Sequence, residues 1–342
     1  MKRAVGVDVG TGNLCVAETN AEGKVEFYKE KDAFFKVNPA SFMEGGALQF
    51  GEKMLEKSGA NYIKVDGTIY ILGDSAFKFA NLFHKECLRP MAKGVLNPNE
   101  PISALMIKEL VRGLAGEAKN DDDILYYCVP AQPIDAQFDI IYHANMLRQV
   151  FQELKYKNIF KMTEGLAVIY SELEDEQFSG IGISCGAGMI NVCYAFLGVP
   201  VFSFSLARSG DWIDWSAAKA MNETANQVQL VKEQGMNINT PKGSIEGAIA
   251  IYYDNLISYI ITKFRELYEK TDKKELPNIN QAMSVVIAGG TSLVGGFKER
   301  FEERVKEGFP VQISSVKQAK DPLFAVVRGL HCAAAVSGEK TK

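Results

Sequence analysis

Disulfide and metal chemistry have little to work with in this chain. The six cysteines (Cys15, Cys87, Cys128, Cys185, Cys193 and Cys332) include no CxxC pair, and several lie in apolar runs. They read as buried free thiols in a reducing compartment rather than as a disulfide framework. Histidine is scarce: His84, His143 and His331 stand far apart, offer no metal cluster, and read as structural residues. No apolar run approaches the roughly 18–20 residues that a membrane-spanning helix needs. An excess of positive charge is also missing. A net charge of −4 and a pI near 5.6 argue against a nucleic-acid surface as the main activity. The opening MKRA leads straight into a strand-like run, so neither a signal peptide nor an amphipathic anchor is expected.

What remains is 342 residues, 47% apolar and 23% charged, the profile of an ordinary soluble protein of two domains. The organising stretch is Ala4–Asn13, AVGVDVGTGN. Val5, Val7 and Val9 form a β-branched run with Asp8 near its end, and the chain then breaks into Gly10-Thr11-Gly12-Asn13 before resuming as LCVAETN. Two strand-like runs joined by glycines read as a β-hairpin. Backbone N–H groups left uncovered by glycine can form a nest for an anion, and Asp8 could hold a hydrated cation beside it. Taken alone, this reads first as an ordinary hairpin.

Lys24–Tyr28 continues as a third strand. Residues of about 31–75 are mixed and glycine-interrupted, like a small inserted subdomain of short strands and a helix. LRPMAKGVL (Leu88–Leu96) is a turn segment, followed by a helix from about Pro101 to Glu117 with Leu105, Ile107, Leu110, Val111 and Leu114 at helical spacing. GEAKNDDD reads as a surface loop, Ile124–Pro130 as an apolar strand, and a helix is expected from about Ile134. Alternating strand and helix predicts parallel pairing through crossovers.

At Gly180 the opening pattern returns. GIGISCGAGMINVCYAFLGVPVFSFSLA is again strand, glycine turn, strand, turn, strand, and it sets Asp8-Val9-Gly10-Thr11-Gly12 on Ser184-Cys185-Gly186-Ala187-Gly188. Two related halves, each presenting a glycine turn to a common cleft, would grip a polyphosphate from both sides. A third stretch, Ser284–Phe301, runs as an apolar strand into Gly289-Gly290-Thr291-Ser292 and then a basic amphipathic helix after Gly296. Paired glycines there would let a flat ligand such as a purine approach the backbone.

These three segments resemble the phosphate 1, phosphate 2 and adenosine motifs of the actin, Hsp70 and sugar-kinase superfamily. LRPMAKGVL resembles the arginine-proline segment of bacterial actins of the MreB and MamK type. TEGLAVIYS (Thr163–Ser171) and DPLFAVVRGL (Asp321–Leu330) resemble the two connecting helices, and SLARSGDWIDWS (Ser205–Ser216) resembles the stretch carrying a Gly-Asp pair, here Gly210 and Asp211. The match is collinear from Val5 to Gly329. It implies an α/β, actin-like ATPase fold: two related lobes with RNase H-like cores around a nucleotide cleft, each with a small inserted subdomain. Lobe I would comprise 1–160 plus 325–342, with its insertion at about 31–75. Lobe II would comprise 161–324, with its insertion at about 208–262.

The resemblance assigns roles position by position. Asp8, Gly10, Thr11, Gly12 and Asn13 would contact the β- and γ-phosphates of ATP or ADP and the Mg²⁺ shell, with Asp8 as the metal-side acid. Ser184, Gly186, Ala187, Gly188 and Met189 would face them. Gly289, Gly290, Thr291 and Leu293 would line the adenosine pocket, with Gln229, Lys232 and Glu233 near ribose and base. Lys232 and Glu233 are equally readable as a solvated helix face. For catalysis the family places a Gln or Glu on the helix after the VP-ending strand, which falls here on Gln137, with Asp135 and Asp139 as rivals. A glutamine would orient water by hydrogen bonding, which suits a reaction governed by positioning and charge neutralisation.

One departure stands out. The aspartate that opens phosphate 2 is Ser184 here, and Met189 and Ile190 replace the usual threonine pair. Nucleotide binding with weakened metal affinity and hydrolysis is therefore expected, unless another acid fills in. The functional expectation is a cytoplasmic, cytoskeletal protein that polymerises with itself into filaments. ATP would drive assembly and slow hydrolysis would drive disassembly, with an adaptor or cargo protein as a further partner and neither nucleic acid nor a membrane anchor directly involved. The alternative is a non-polymerising ATPase switch of the Hsp70 or pilus-assembly kind. A small-molecule kinase is the third reading, and it lacks the expected acid at phosphate 2.

Overall fold

The computed structural model describes residues 2–37, 48–83, 85–137, 140–274, 276 and 281–339. His84 and Asp139, and the run of residues 38–47 within the first expected insertion, lie outside the described residues.

Three antiparallel strands open the chain: β1 (Ala4–Val9), β2 (Asn13–Thr19) and β3 (Val25–Lys31). A small antiparallel sheet follows, built from β4 (Phe34–Val37), β5 (Tyr62–Val65) and β6 (Thr68–Leu72), with α1 (Leu48–Ser58) between its strands and α2 (Gly73–Leu82) after them. The Leu88–Leu96 segment is a tight hairpin of β7 (Met91–Ala92) and β8 (Val95–Leu96). Then come α3 (Ser103–Ala115), β9 (Ile124–Val129), α4 (Ile140–Glu153), β10 (Asn158–Thr163) and α5 (Glu164–Glu172). β9 pairs parallel with β1, and β10 parallel with β9, giving the order β10-β9-β1-β2-β3.

The second half repeats this plan. A meander of β11 (Gly180–Cys185), β12 (Ile190–Phe196) and β13 (Val199–Leu206) is followed by three helices: α6 (Gly210–Met221), α7 (Ala225–Glu233) and the long α8 (Gly243–Lys270). β14 (Met283–Ala288), a single 3-10 turn (Gly290–Leu293), α9 (Phe297–Lys306), β15 (Ile313–Gln318) and α10 (Ala325–Glu339) complete the chain. The order β13-β12-β11-β14-β15 is that of the first sheet, strand for strand. The internal repeat seen in the glycine turns therefore extends to whole sheets, the α/β architecture of an actin-like fold.

The two connecting helices change partners. α5 leaves the first sheet and packs on β11 and β12 of the second, while α10 leaves the second sheet and packs on β1 and β9 of the first. They also pack on each other, and Gly329 makes that crossing possible: a Cβ there would overlap the Ala167 carbonyl oxygen. Separate apolar cores fill each half, with Val5, Val7, Leu14, Leu110 and Leu125 in one and Ile183, Val192, Ile257, Ile287 and Phe301 in the other.

Three local expectations need correction. The helix expected from about Ile134 begins at Ile140, because the preceding segment is held elsewhere: Pro133 bridges to Ser205, and Asp135 accepts the Ala207 N–H at 2.8 Å and the Tyr259 hydroxyl at 3.2 Å. The helix expected from Pro101 to Glu117 is shorter at both ends, ending where Gly116 takes a positive φ of 69°. The polar loop 116–123 ends in a buried residue, Asp123, whose carboxylate accepts the backbone N–H groups of Arg3, Lys119 and Asn120.

Of the described cysteines, Cys87 and Cys332 are half-buried and the other four are buried, all as free thiols. His143 is buried, its Nδ1 accepting the Leu96 N–H at 3.2 Å, and His331 meets the Thr19 hydroxyl at 2.8 Å. Among the described residues no helix is long and apolar enough to cross a membrane.

Candidate nucleotide site

The two glycine turns stand at the ends of equivalent strands in different sheets, and the fold brings them face to face. Each is closed by the same bond: Gly10 N–H donates to Asn13 O at 3.1 Å, and Gly186 N–H donates to Met189 O at 3.0 Å. Thr11 accepts the Gly94 N–H on its hydroxyl at 2.9 Å, so the β7–β8 hairpin closes over the first turn. Gly188 is required at this meeting point, since a side chain there would collide with Thr11 and Gly94. Gly289, at φ 90°, lies so close to the Cys185 backbone that no Cβ fits.

Beside the turns lies a cleft of about 380 Å³. From the first sheet it is lined by Asp8, Gly10, Thr11, Gly12 and Asn13. From the second it is lined by Ser184, Gly186, Ala187, Gly188 and Met189, with Asp211 at the start of α6. Gln229, Lys232 and Glu233 on α7 form another wall, and Gly289, Gly290, Thr291 and Leu293 a third. Gly210 is buried just behind the surface, with its carbonyl 3.5 Å from Lys232 Nζ. Gln137 is not in this set; it lies on the exposed loop before α4, with no part in the cleft lining.

An acid that sequence reasoning did not single out occupies the cleft instead. Glu164, the first residue of α5, lines it, and its Oε2 accepts the Ser184 hydroxyl at 2.9 Å. Burial, reinforced by the charge of Asp8, pushes the Glu164 carboxyl up to about 8. Asp8 is also raised by burial, to about 6, against a hydrogen bond donated by the Cys128 thiol at 3.0 Å. The signal for Glu164 in the sequence is the acid of TEGLAVIYS, one residue past the strand that pairs with β9.

Two ion pairs also line the cleft, one across it and one within the second half. Arg89 reaches from the first half to Asp211 of the second at 3.3 Å, and Lys232 lies 2.7 Å from Asp214. Burial raises Asp214 to about 6, with Lys232 pulling the other way.

Two desolvated acids, Asp8 and Glu164, beside two facing glycine turns fit a hydrated Mg²⁺ bound with a polyphosphate. Among the described residues no group of three or more acids, histidines or cysteines could cage a metal on its own. That suits an ion held mainly through water and phosphate oxygens.

The Volactin family model matches residues 3–334. The chain belongs to the Volactin family. No curated protein sequence matches it. Its fold is that of actin-like proteins of the MreB and MamK type. A MamK double helical filament structure superposes with a TM-score of 0.72 at 19% identity, covering 98% of this chain and 99% of that one. MreB5 of Spiroplasma citri bound to AMPPNP gives 0.68 at 14% identity, covering 100% and 98%. The ethanolamine utilization protein EutJ from Carboxydothermus hydrogenoformans gives 0.55 at 12% identity, covering 97% and 90%.

Proposed function

We propose that this protein binds ATP with Mg²⁺ in the cleft between its two halves and uses the bound nucleotide to control assembly into filaments. The observation that carries this reading is the opposition of two glycine turns from equivalent sheets across one cleft, with Asp8 and Glu164 on its floor. The structural neighbours support it: one is a MamK double helical filament, and another is an MreB5 bound to AMPPNP.

The triphosphate would lie against Gly10–Asn13 on one side and Gly186–Met189 on the other, with adenine beside Gly289-Gly290 and Leu293 and the ribose toward Lys232 and Glu233. Asp8 and the phosphate oxygens would hold the Mg²⁺, which neutralises charge developing on the phosphates. Glu164, placed by the Ser184 hydroxyl, takes the water-orienting role expected of Gln137. It also answers the missing phosphate 2 aspartate, since the serine turns a carboxylate from α5 toward the same space. Met189 and Ile190 offer no hydroxyl to help hold the water, so turnover is slow.

High-speed pelleting and negative-stain microscopy with ATP–Mg²⁺, with ADP–Mg²⁺ and without nucleotide test the reading. Filaments that form with ATP support it. ATP bound without pelleting at any protein concentration leaves a non-polymerising switch, and no ATP bound overturns the assignment of the cleft.

A further inference from the structure

Neither glycine turn contains a basic residue, and two of the cleft's cations, Arg89 and Lys232, are already paired with Asp211 and Asp214. A polyphosphate needs more positive charge than this leaves. The register of the first sheet supplies it. Asp8 lies opposite Cys15, and Cys15 lies opposite Lys29, so the three form one row across β1, β2 and β3. Lys31 lies opposite Asn13 in the next row on the same face. Directly opposed residues share a face, and alternate residues on a strand do as well.

Lys29 and Lys31 both line the cleft. Among the described residues neither ammonium forms an ion pair, and the Lys31 ammonium sits over the Phe77 ring at 5.7 Å from its centroid. Lys29 lies two strand spacings, about 10 Å, from Asp8. Its flexible four-carbon stem can lean back over Cys15 toward the phosphate end of the cleft. The proposed base pocket is at the second sheet, at Gly289-Gly290.

We infer that Lys29 and Lys31 are the phosphate-neutralising cations of this site and make it select a nucleoside triphosphate over a diphosphate. The inference rests on the nucleotide reading of the cleft and adds the residues that set its ligand's charge. A compact ammonium on a free stem follows a phosphate as a point charge, and a charge-assisted bond at a half-exposed position is worth about a tenfold change in affinity.

The test is calorimetric titration of the full chain with ATP–Mg²⁺, ADP–Mg²⁺ and adenosine, using wild type, Lys29→Ala, Lys31→Ala, the double variant and Lys24→Ala, a lysine beyond the far end of β3. The double variant should bind ATP about tenfold or more weakly, ADP only a few-fold weaker, and adenosine unchanged; its ATP affinity should also depend less on salt. Lys24→Ala should match wild type. An equal loss for all three ligands assigns the lysines a structural role and overturns the inference. Unchanged ATP binding also overturns it, leaving them as the solvated charges that blunt an exposed edge strand. In both cases wild-type ATP binding keeps the nucleotide reading intact, whereas a wild type that binds no ATP removes both.

Discussion

The Ser184 hydroxyl donates a hydrogen bond to the Glu164 carboxylate at 2.9 Å, joining the end of β11 to the start of α5 inside the cleft. The acid it holds comes from α5, at the junction with the other half. Glu164→Gln keeps the shape, the ability to accept from Ser184 and the ability to orient a water, but it can no longer take that water's proton as a general base. Phosphate release should fall by about a hundredfold or more, while ATP affinity changes by no more than a few-fold. Gln137→Ala should leave release unchanged. Single-turnover phosphate assays beside ATP titrations check both; equal turnover in wild type and Glu164→Gln would falsify the assignment.

Arg89 and Asp211, both in the cleft lining, pair with each other from opposite halves. Both side chains keep close to a third of their surface exposed, so the pair is worth no more than about 1 kcal/mol. That is still enough to shift an opening equilibrium several-fold. Arg89→Ala should raise the protein concentration needed for ATP-dependent pelleting several-fold, with little change in melting temperature. The swapped pair Arg89→Asp with Asp211→Arg should recover most of the loss. Failure of the swap would show that Arg89 acts on the nucleotide and not on the opposite wall.

Much of this site was legible because its markers are local. A glycine turn between two strand-like runs announces itself within ten residues, and Gly186–Gly188 repeats its spacing. Glu164 was not legible in the same way, because its partner lies 20 residues later and meets it only where α5 packs on β11 of the other sheet. Gln137 stands on a loop and not on the expected helix, which starts later than the spacing from Val129-Pro130 implies. Pro133 and Asp135 instead tie that segment to β13 and α8, and the helix starts late. Lys29 and Lys31 read as ordinary polar positions of VEFYKEK; only the register with Cys15 and Asn13 shows which face they share.

Two glycines in helices should respond to alanine with opposite signs. At Gly329, on α10, a Cβ would overlap the Ala167 carbonyl of α5, and both helices are buried there against the opposite sheets. Gly329→Ala should destabilise by about 2 kcal/mol or more, because the helices must move apart. At Gly113, on α3, the nearest atom to an added Cβ is Asn61 Nδ2 at 3.9 Å, and the position is exposed. Gly113→Ala should stabilise by about 0.5–1 kcal/mol through helix propensity. Denaturant titrations of both variants check the pair; a loss at Gly113 or no loss at Gly329 would contradict the packing.

His143 links α4 to the β7–β8 hairpin that closes over Thr11, and it does so as a neutral acceptor for the Leu96 N–H. Burial lowers its pKa from 6.5 to about 4. Above pH 6.5 the imidazole is neutral in the folded and unfolded chains alike, and it imposes no penalty. As the pH falls below 6.5 the unfolded chain takes up a proton that the folded one refuses, so stability declines until the folded group titrates near pH 4. A shift of this size corresponds to roughly 3 kcal/mol in total. Asp8 and Glu164, whose carboxyls are raised by burial, act in the opposite sense and lose stability as the pH rises through their folded values. A bare pH profile therefore mixes the two. His143→Asn separates them, since its Oδ1 can accept the same N–H but does not titrate. Between pH 7 and pH 4.5 the wild type should lose stability relative to His143→Asn, measured by denaturant unfolding without nucleotide. Parallel curves would mean that His143 is already solvated in the folded chain.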